Sequence, residues 1–240
     1  MSKSMSNNRI VAVVPAAGNG SRMKCEQPKQ YMKIGELTIL EHTLNTLISH
    51  SKISQVIVAI SPTDSIFYTL PVASHPKVIA VQGGDSRAAS VLAGLQKLQA
   101  TDWAMVHDAA RPCLSHQDMD KLIDTVFDKQ QGGILAVPIS DTVKLAYADK
   151  TKTIEHSLDR TYLWGAATPQ LFKAEELRSC LQKALSEHAI ITDEASAIEY
   201  CGGHPLLVHG RRDNIKITQP EDLAIATFYL TQQAKNKENV

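Results

Sequence analysis

The chain has 240 residues, 43% hydrophobic and 21% charged, and its Lys+Arg and Asp+Glu counts are both 25. That length allows one large domain or two small ones. The even charge excludes the broad basic field needed for binding nucleic acid or an anionic membrane, so any anion site must be local. The polar opening Met1 to Asn8 lacks the apolar segment of a secretory signal, and no run approaches the ~20 apolar residues of a membrane span. Cys25, Cys113, Cys180 and Cys201 form no C-x-x-C pair, so reduced thiols in a cytoplasmic protein are expected, without a zinc site.

The first element is Ile10 to Val14, a continuous apolar run of the kind a fully buried parallel strand needs. It feeds Pro15-Ala16-Ala17-Gly18-Asn19-Gly20-Ser21-Arg22-Met23, with Lys29 following. A loop leaving the carboxyl end of such a strand lies where open α/β sheets bind ligands. Gly18 and Gly20 lack the Cβ atoms that keep backbone N–H groups away from phosphate oxygens. Arg22 adds a planar fork and Lys29 a mobile point charge, both suited to phosphate. Small Ala16 and Ala17 leave room for a flat base. A dinucleotide fingerprint would need glycine where Met23 stands, and the Gly-Lys-Ser/Thr of a Walker loop is absent. The loop therefore reads as a polyphosphate cradle, which implies an enzyme acting on a nucleotide. A glycine-rich turn without ligand is the alternative on these residues alone.

Thr38 and Glu41 form a capping box that opens a helix to about His50. Strands follow at Gln55 to Ile60 and Lys77 to Val81. Asp85 is then placed to cap a helix with Ala88, Val91, Leu92 and Leu95 on its apolar face. A strand from Asp102 to Val106 runs into His107-Asp108-Ala109-Ala110-Arg111-Pro112. Ser115 caps a helix whose Met119, Leu122, Ile123, Val126 and Phe127 fall on one face. This alternation predicts a single Rossmann-like α/β domain over 1–240, with a mostly parallel sheet and helices on both faces.

One segment breaks the rhythm. Val143, Leu145 and Tyr147 alternate with polar residues, Ala148 to Thr151 makes a turn, and Lys152 to Ile154 heads back. This reads as a hairpin arm over about 139–160. An isolated hairpin is marginal in water, so it needs a surface to pack on, either a second subunit or its own domain. Beyond it come a helix from Ala174 to His188, a helix after Thr192, strands at Pro205 to Val208 and Asn214 to Ile217, and a final helix opened by Thr218 to Glu221. Residues 231–240 are polar and expected to fray.

Asp108 follows a buried strand, where a carboxylate needs a cation or a loop to cap. Mg²⁺ bridging phosphates uses one or two protein carboxylates, a role open to Asp108 and, as a second candidate, Asp213. The alternatives are a loop cap for Asp108 and a solvated surface charge for Asp213. His107 reads as a satisfied structural histidine. Lys216, between Ile215 and Ile217, and Arg160 read by themselves as solvent-facing charges.

In order along the chain stand P-A-A-G-x-G-x-R-M, P-K-Q-Y (Pro28 to Tyr31), I-L-E-H-T (Ile39 to Thr43), G-G-D-S-R-A-A-S-V-L-A-G-L (Gly83 to Leu95), H-D-A-A-R-P (His107 to Pro112), D-R-x-x-L-W-x-x-x-T-P-Q (Asp159 to Gln170), T-D-E-A-S (Thr192 to Ser196) and N-I-K-I-T-x-P-E-D-L (Asn214 to Leu223). Together they resemble the 2-C-methyl-D-erythritol 4-phosphate cytidylyltransferases over roughly residues 9 to 230. The resemblance implies a transfer from CTP to methylerythritol phosphate with release of pyrophosphate, a divalent cation such as Mg²⁺, and a homodimer with exchanged arms. By the same resemblance Arg22 and Lys29 stabilise the transition state, and Pro15, Ala16, Ala17, Gly18, Gly20, Gly84, Asp85, Ser90, Asp108 and Ala109 line the nucleotide site. Arg87 supports that loop. Asp108 sits at the metal, and Arg160 and Lys216 sit at the acceptor phosphate, with Thr142, Thr168 and Thr192 nearby. His209 and Arg211 depart from the family's usual Glu and small residue. The competing readings are a ribitol-phosphate cytidylyltransferase and a nucleotide-binding regulator without turnover.

Overall fold

The computed structural model describes residues 8–18, 28–148 and 151–238. Its centre is a seven-stranded sheet in the order β11-β7-β10-β6-β1-β4-β5. The strands are β1 (Ile10–Pro15), β4 (Ile53–Ile60), β5 (Val78–Gln82), β6 (Trp103–Val106), β7 (Gly133–Pro138), β10 (Trp164–Lys173) and β11 (Leu206–His209). β1 pairs parallel with β4 and β6, β4 with β5, and β7 with β11, while β10 runs antiparallel between β6 and β7. Two short strands, β2 (Lys33–Ile34) and β3 (Leu37–Thr38), form a small ladder beside the sheet.

Period-two alternation sends β1 into two cores. Ile10, Ala12 and Val14 face Leu40, Leu44 and Leu47 of α1 (Ile39–Ser49) and Met119, Leu122 and Val126 of α3 (His116–Lys129). Val11 and Val13 face Val91 and Leu95 of α2 (Arg87–Leu95), Leu177 and Leu181 of α4 (Ala174–Ser186), and Ala197 and Ile198 of α5 (Glu194–Tyr200). A third cluster seats Ala226 of α6 (Asp222–Glu238) against Ile39, Cys113 and Ile217. The expected caps are present at α1, where Thr38 and Glu41 bond reciprocally, and at α3, where the Ser115 hydroxyl accepts the Asp118 N–H.

Four expectations are corrected. Ser86, not Asp85, caps α2, its hydroxyl accepting the Ala89 N–H at 3.0 Å. Residues 214–217 are not a strand: despite the alternation, the Ile217 N–H bonds the Ala110 carbonyl of a neighbouring loop instead of a sheet strand. The last helix starts at Asp222, because its carboxylate collects the N–H groups of Thr218 and Gln219 and the Thr218 hydroxyl. It runs on to Glu238, so the 231–238 stretch is helical instead of frayed. β7 and β10 were not anticipated; the Pro169 of β10, which argues against a central strand, falls at a break in its register with β7 between Ala166 and Gln170.

The arm is a separate two-stranded sheet, β8 (Lys144–Ala146) against β9 (Ile154–Ser157). Leu145, Tyr147 and Ile154 on it are 41%, 52% and 60% exposed. No described helix is long and apolar enough to cross a membrane.

α2 approaches β1 so closely that a Cβ on Gly94 would lie 2.5 Å from Val13 Cγ1. Val13 is fully buried and stiff at χ1, so it has little room to yield. Gly94→Val is therefore expected to destabilise the protein by roughly 1–3 kcal/mol through overpacking, read as a lower midpoint in denaturant with an unchanged slope.

Candidate active site

The carboxyl ends of β1, β5 and β6 open onto one cleft of about 320 Å³. β1 has β4 and β5 on one side and β6 on the other, so the chain changes direction there, as ligand crevices of open α/β sheets require. Pro15, Ala16, Ala17 and Gly18 enter from β1, Gly84 to Arg87 and Ser90 from β5 and the start of α2, and Asp108 to Ala110 from β6. The loops are bound to the sheet: Ala16 N–H donates to the Ala59 carbonyl, Gly83 N–H to Ile60 and His107 N–H to Val13. Gln30, from the single 3₁₀ turn Lys29–Tyr31, donates to the carbonyls of Ala16 at 2.8 Å and Gly18 at 3.3 Å and so fixes the start of the glycine loop. Gly83 has a physical reason to be glycine, since a Cβ there would lie 2.6 Å from that of Ala17. Gly18 has open space around it.

Asp108 is 6% exposed and ringed by cations. Arg87 Nε donates to Oδ1 at 2.9 Å, Lys216 Nζ lies 2.8 Å from Oδ2, and Arg111 Nε is 3.6 Å from Oδ2. Burial opposes ionisation of this carboxyl, but Arg87, Lys216 and Arg111 together hold it well below the usual carboxylate range. The guanidinium of Arg87 continues to Glu194, with Nη1 to Oε1 at 2.7 Å and Nη2 to Oε2 at 3.1 Å. Lys29, at the cleft wall, donates to the Ile217 carbonyl at 2.8 Å. Positive groups thus line one side of a space floored by small residues, an arrangement able to hold a polyphosphate.

Among the sequence-derived candidates, Pro15, Ala16, Ala17, Gly18, Lys29, Gly84, Asp85, Arg87, Ser90, Asp108, Ala109 and Lys216 all line this cleft. Thr168 stands beside it, buried, its hydroxyl accepting the Asp108 N–H at 3.0 Å and meeting His107 Nδ1 at 2.9 Å. Thr192, Thr142 and Arg160 are exposed and do not line it within one chain; Arg160 donates to the Ser140 carbonyl at the base of the arm. Arg22 and Gly20 lie outside the described residues. Asp213, the second metal candidate, does not line this cleft: it faces a different depression, lined also by Asp118, Lys121 and His209, and its carboxylate accepts Arg211 Nε at 2.9 and 3.1 Å. That bond also accounts for Arg211, whose charge is spent on its neighbour.

Glu194 was missed, having been read as an ordinary helix start. The signal was available: Glu194 shares the i, i+3, i+4 face with buried Ala197 and Ile198, which puts a carboxylate on the inward side of α5.

The sequence profile of the IspD family, 2-C-methyl-D-erythritol 4-phosphate cytidylyltransferase, matches residues 10–232. The chain belongs to this family. It is similar to the 2-C-methyl-D-erythritol 4-phosphate cytidylyltransferases of Cronobacter sakazakii, 59% identical over 93% of this chain and 94% of that protein, and Citrobacter koseri, 56% identical over 93% and 96%. Its fold resembles the crystal structure of the Francisella tularensis IspD, with a TM-score of 0.80 and 34% identity over 92% of this chain and 100% of that one.

The same network gives a pH signature. His107 is fully buried, with Nε2 3.0 Å from the Arg111 carbonyl, and burial pushes its pKa from 6.5 down to about 4. Between these values the unfolded chain binds a proton that the native chain refuses, so stability rises with pH across the window. This contribution is complete above pH 6.5 and is lost as the pH falls toward about 4. His107→Gln is expected to flatten the stability profile in that window, by at most about 1.4 kcal/mol per pH unit, measured by denaturant titrations at a series of pH values.

Proposed function

We infer that the chain joins CTP to 2-C-methyl-D-erythritol 4-phosphate, giving CDP-methylerythritol and pyrophosphate, a step of non-mevalonate isoprenoid biosynthesis in the cytoplasm. The observation that carries this reading is the convergence of Lys29, Arg87, Asp108 and Lys216 on a small-residue cleft at the strand ends. The acceptor phosphate is already a nucleophile near neutral pH, its second pKa being about 6. One of its oxygens bonds to the α-phosphorus of CTP as the bond from that phosphorus to the departing pyrophosphate breaks. Positioning and charge stabilisation supply the catalysis.

In this reading Lys29 and Arg22 meet the charge developing at the α-phosphate. Ala16, Ala17, Gly84, Asp85 and Ser90 hold the cytidine, and Arg87 braces their loop. Lys216 turns from Asp108 toward the acceptor phosphate, with Thr192 nearby. Thr168, its hydroxyl engaged at Asp108 and His107, orients Asp108 from behind. Among the described residues no three acidic, His or Cys side chains cluster to hold a metal. A single ionised carboxylate beside a phosphate cleft nevertheless suits Mg²⁺, which takes one or two carboxylates and completes its shell with phosphate oxygens and water. Asp108 would hold it, and the ion would neutralise charge on the polyphosphate. No observation favours a ribitol-phosphate acceptor, and the similar proteins above carry the methylerythritol phosphate name.

The chain is proposed to act as a homodimer. The arm exposes Leu145, Tyr147 and Ile154, more apolar surface than a free hairpin should present, and an isologous exchange of arms would bury it. Arg160 and Thr142, at the arm's base, would then reach the partner's acceptor phosphate.

The decisive test is pyrophosphate release with CTP and methylerythritol phosphate, omitting each in turn; equal release with any polyol phosphate or any nucleotide would sink the reading. Lys29→Ala is expected to lower kcat by on the order of 10²–10³ with a much smaller change in CTP affinity, because its charge meets the transition state. Near-normal turnover with collapsed affinity would make the residue a binding device. Mixing Arg160→Ala and Lys29→Ala chains is expected to restore activity, up to roughly a quarter of wild type, because a heterodimer has one site with both residues intact. No rescue in verified heterodimers would put Arg160 outside the partner's site.

A further inference from the structure

We propose that Glu194 is a positioning residue for the reaction, acting through Arg87 to set the orientation of Asp108 and of Lys216 beside it. The inference rests on the cytidylyltransferase reading. Glu194 is 1% exposed, and its two carboxylate oxygens are matched to the two terminal nitrogens of Arg87 at 2.7 and 3.1 Å. Such fork-to-fork pairing fixes a guanidinium in plane and direction, which a single contact does not. With both terminal nitrogens held, Arg87 offers Asp108 its Nε at 2.9 Å, a single side-on bond to Oδ1. Oδ2 is left to Lys216 at 2.8 Å.

Glu194 is not required to hold α5 in place. The helix start has its own anchors: Asp193 and Ser196 form a capping box, and Gln170 donates to the Asp193 carboxylate at 2.9 Å while accepting the Ala195 N–H at 2.8 Å. Burying a second carboxylate beside those anchors is costly and adds little net stability. What it does add is a fixed direction for Arg87. Without the Glu194 charge, the Arg87 fork is free to swing end-on to Asp108, claim both oxygens and displace Lys216. Asp108 would have no oxygen left for Lys216, which would lose the contact that aims it across the cleft.

The test uses Glu194→Gln in the full-length protein and begins with the Arg87 Nε–H resonance of the ligand-free chain, assigned by its loss in Arg87→Lys. The expected result is solvent exchange of that proton at least about tenfold faster, because a swinging guanidinium opens to water. Alongside it, kcat is expected to fall about tenfold or more while the KM values for both substrates stay within about threefold, the mark of an interaction used in the transition state. Added to Arg87→Lys, Glu194→Gln should change kcat by less than about twofold, since the two act as one unit. Unchanged exchange, full additivity with Arg87→Lys, or activity that falls only with the folded fraction would each overturn the proposal. Should Glu194→Gln not fold, Glu194→Asp keeps the charge but draws the carboxylate back and carries the same readouts. A wild-type chain that makes no CDP-polyol would fail the functional reading, while the exchange measurement would still decide whether Glu194 fixes Arg87.

Discussion

The ionised Asp108 carboxylate is the constraint around which the cleft is arranged. An isolated buried carboxylate would protonate or unfold its surroundings. Here three cations, delivered by three separate parts of the chain, keep it charged: Arg87 from the start of α2, Arg111 from its own loop and Lys216 from the segment before α6. The backbone is held with equal care, since the Asp108 N–H reaches Thr168 and the Arg111 carbonyl reaches His107. These bonds tie β6, β10 and the 214–218 segment together. The cleft's charge and the domain's long-range connections are therefore one network.

The second consequence is that this network leaves few polar atoms over. Arg111 Nη1 donates to the Asn214 carbonyl and Asn214 Nδ2 to the Thr168 carbonyl, while Arg111 Nε and Asn214 Oδ1 are buried without a hydrogen-bond partner. These two atoms of opposite character sit on residues bonded to each other, and Arg111 Nε keeps an ion-pair contact with Asp108 Oδ2 at 3.6 Å. Among the described residues the remaining such atom is Arg178 Nε, on α4, so two of the three belong to the network around Asp108.

Local signals made much of this legible in the sequence. The apolar run of β1, the capping box of α1 and the single-faced pattern of α3 each carry their information within a few residues, and each formed as read. Lys29 and Asp108 were readable for the same reason, as charged residues just beyond strands or glycines. What failed was non-local. β10 contains a proline and is a strand because β6 and β7 flank it. Residues 214–217 alternate like a strand yet found a loop, not an edge, to bond. Asp213 was judged without its neighbour Arg211, and Glu194 without Arg87, more than a hundred residues away. Arg160 and Thr142, with no cleft contact in their own chain, could be assigned a role only by resemblance.

The antiparallel strand has a consequence for how the chain is made. β10 lies between β6 and β7, so when β7 leaves the ribosome the neighbour that joins it to the rest of the sheet has not yet been synthesised. β1, β4, β5 and β6 can assemble from consecutive chain, whereas β7 must wait with unpaired edges until residue 173 has emerged. Such waiting edges are where nascent chains aggregate. The cleft matures later still, because Lys216 closes on Asp108 from near the end of the chain. A polypeptide released early would carry the nucleotide loop on an unfinished sheet.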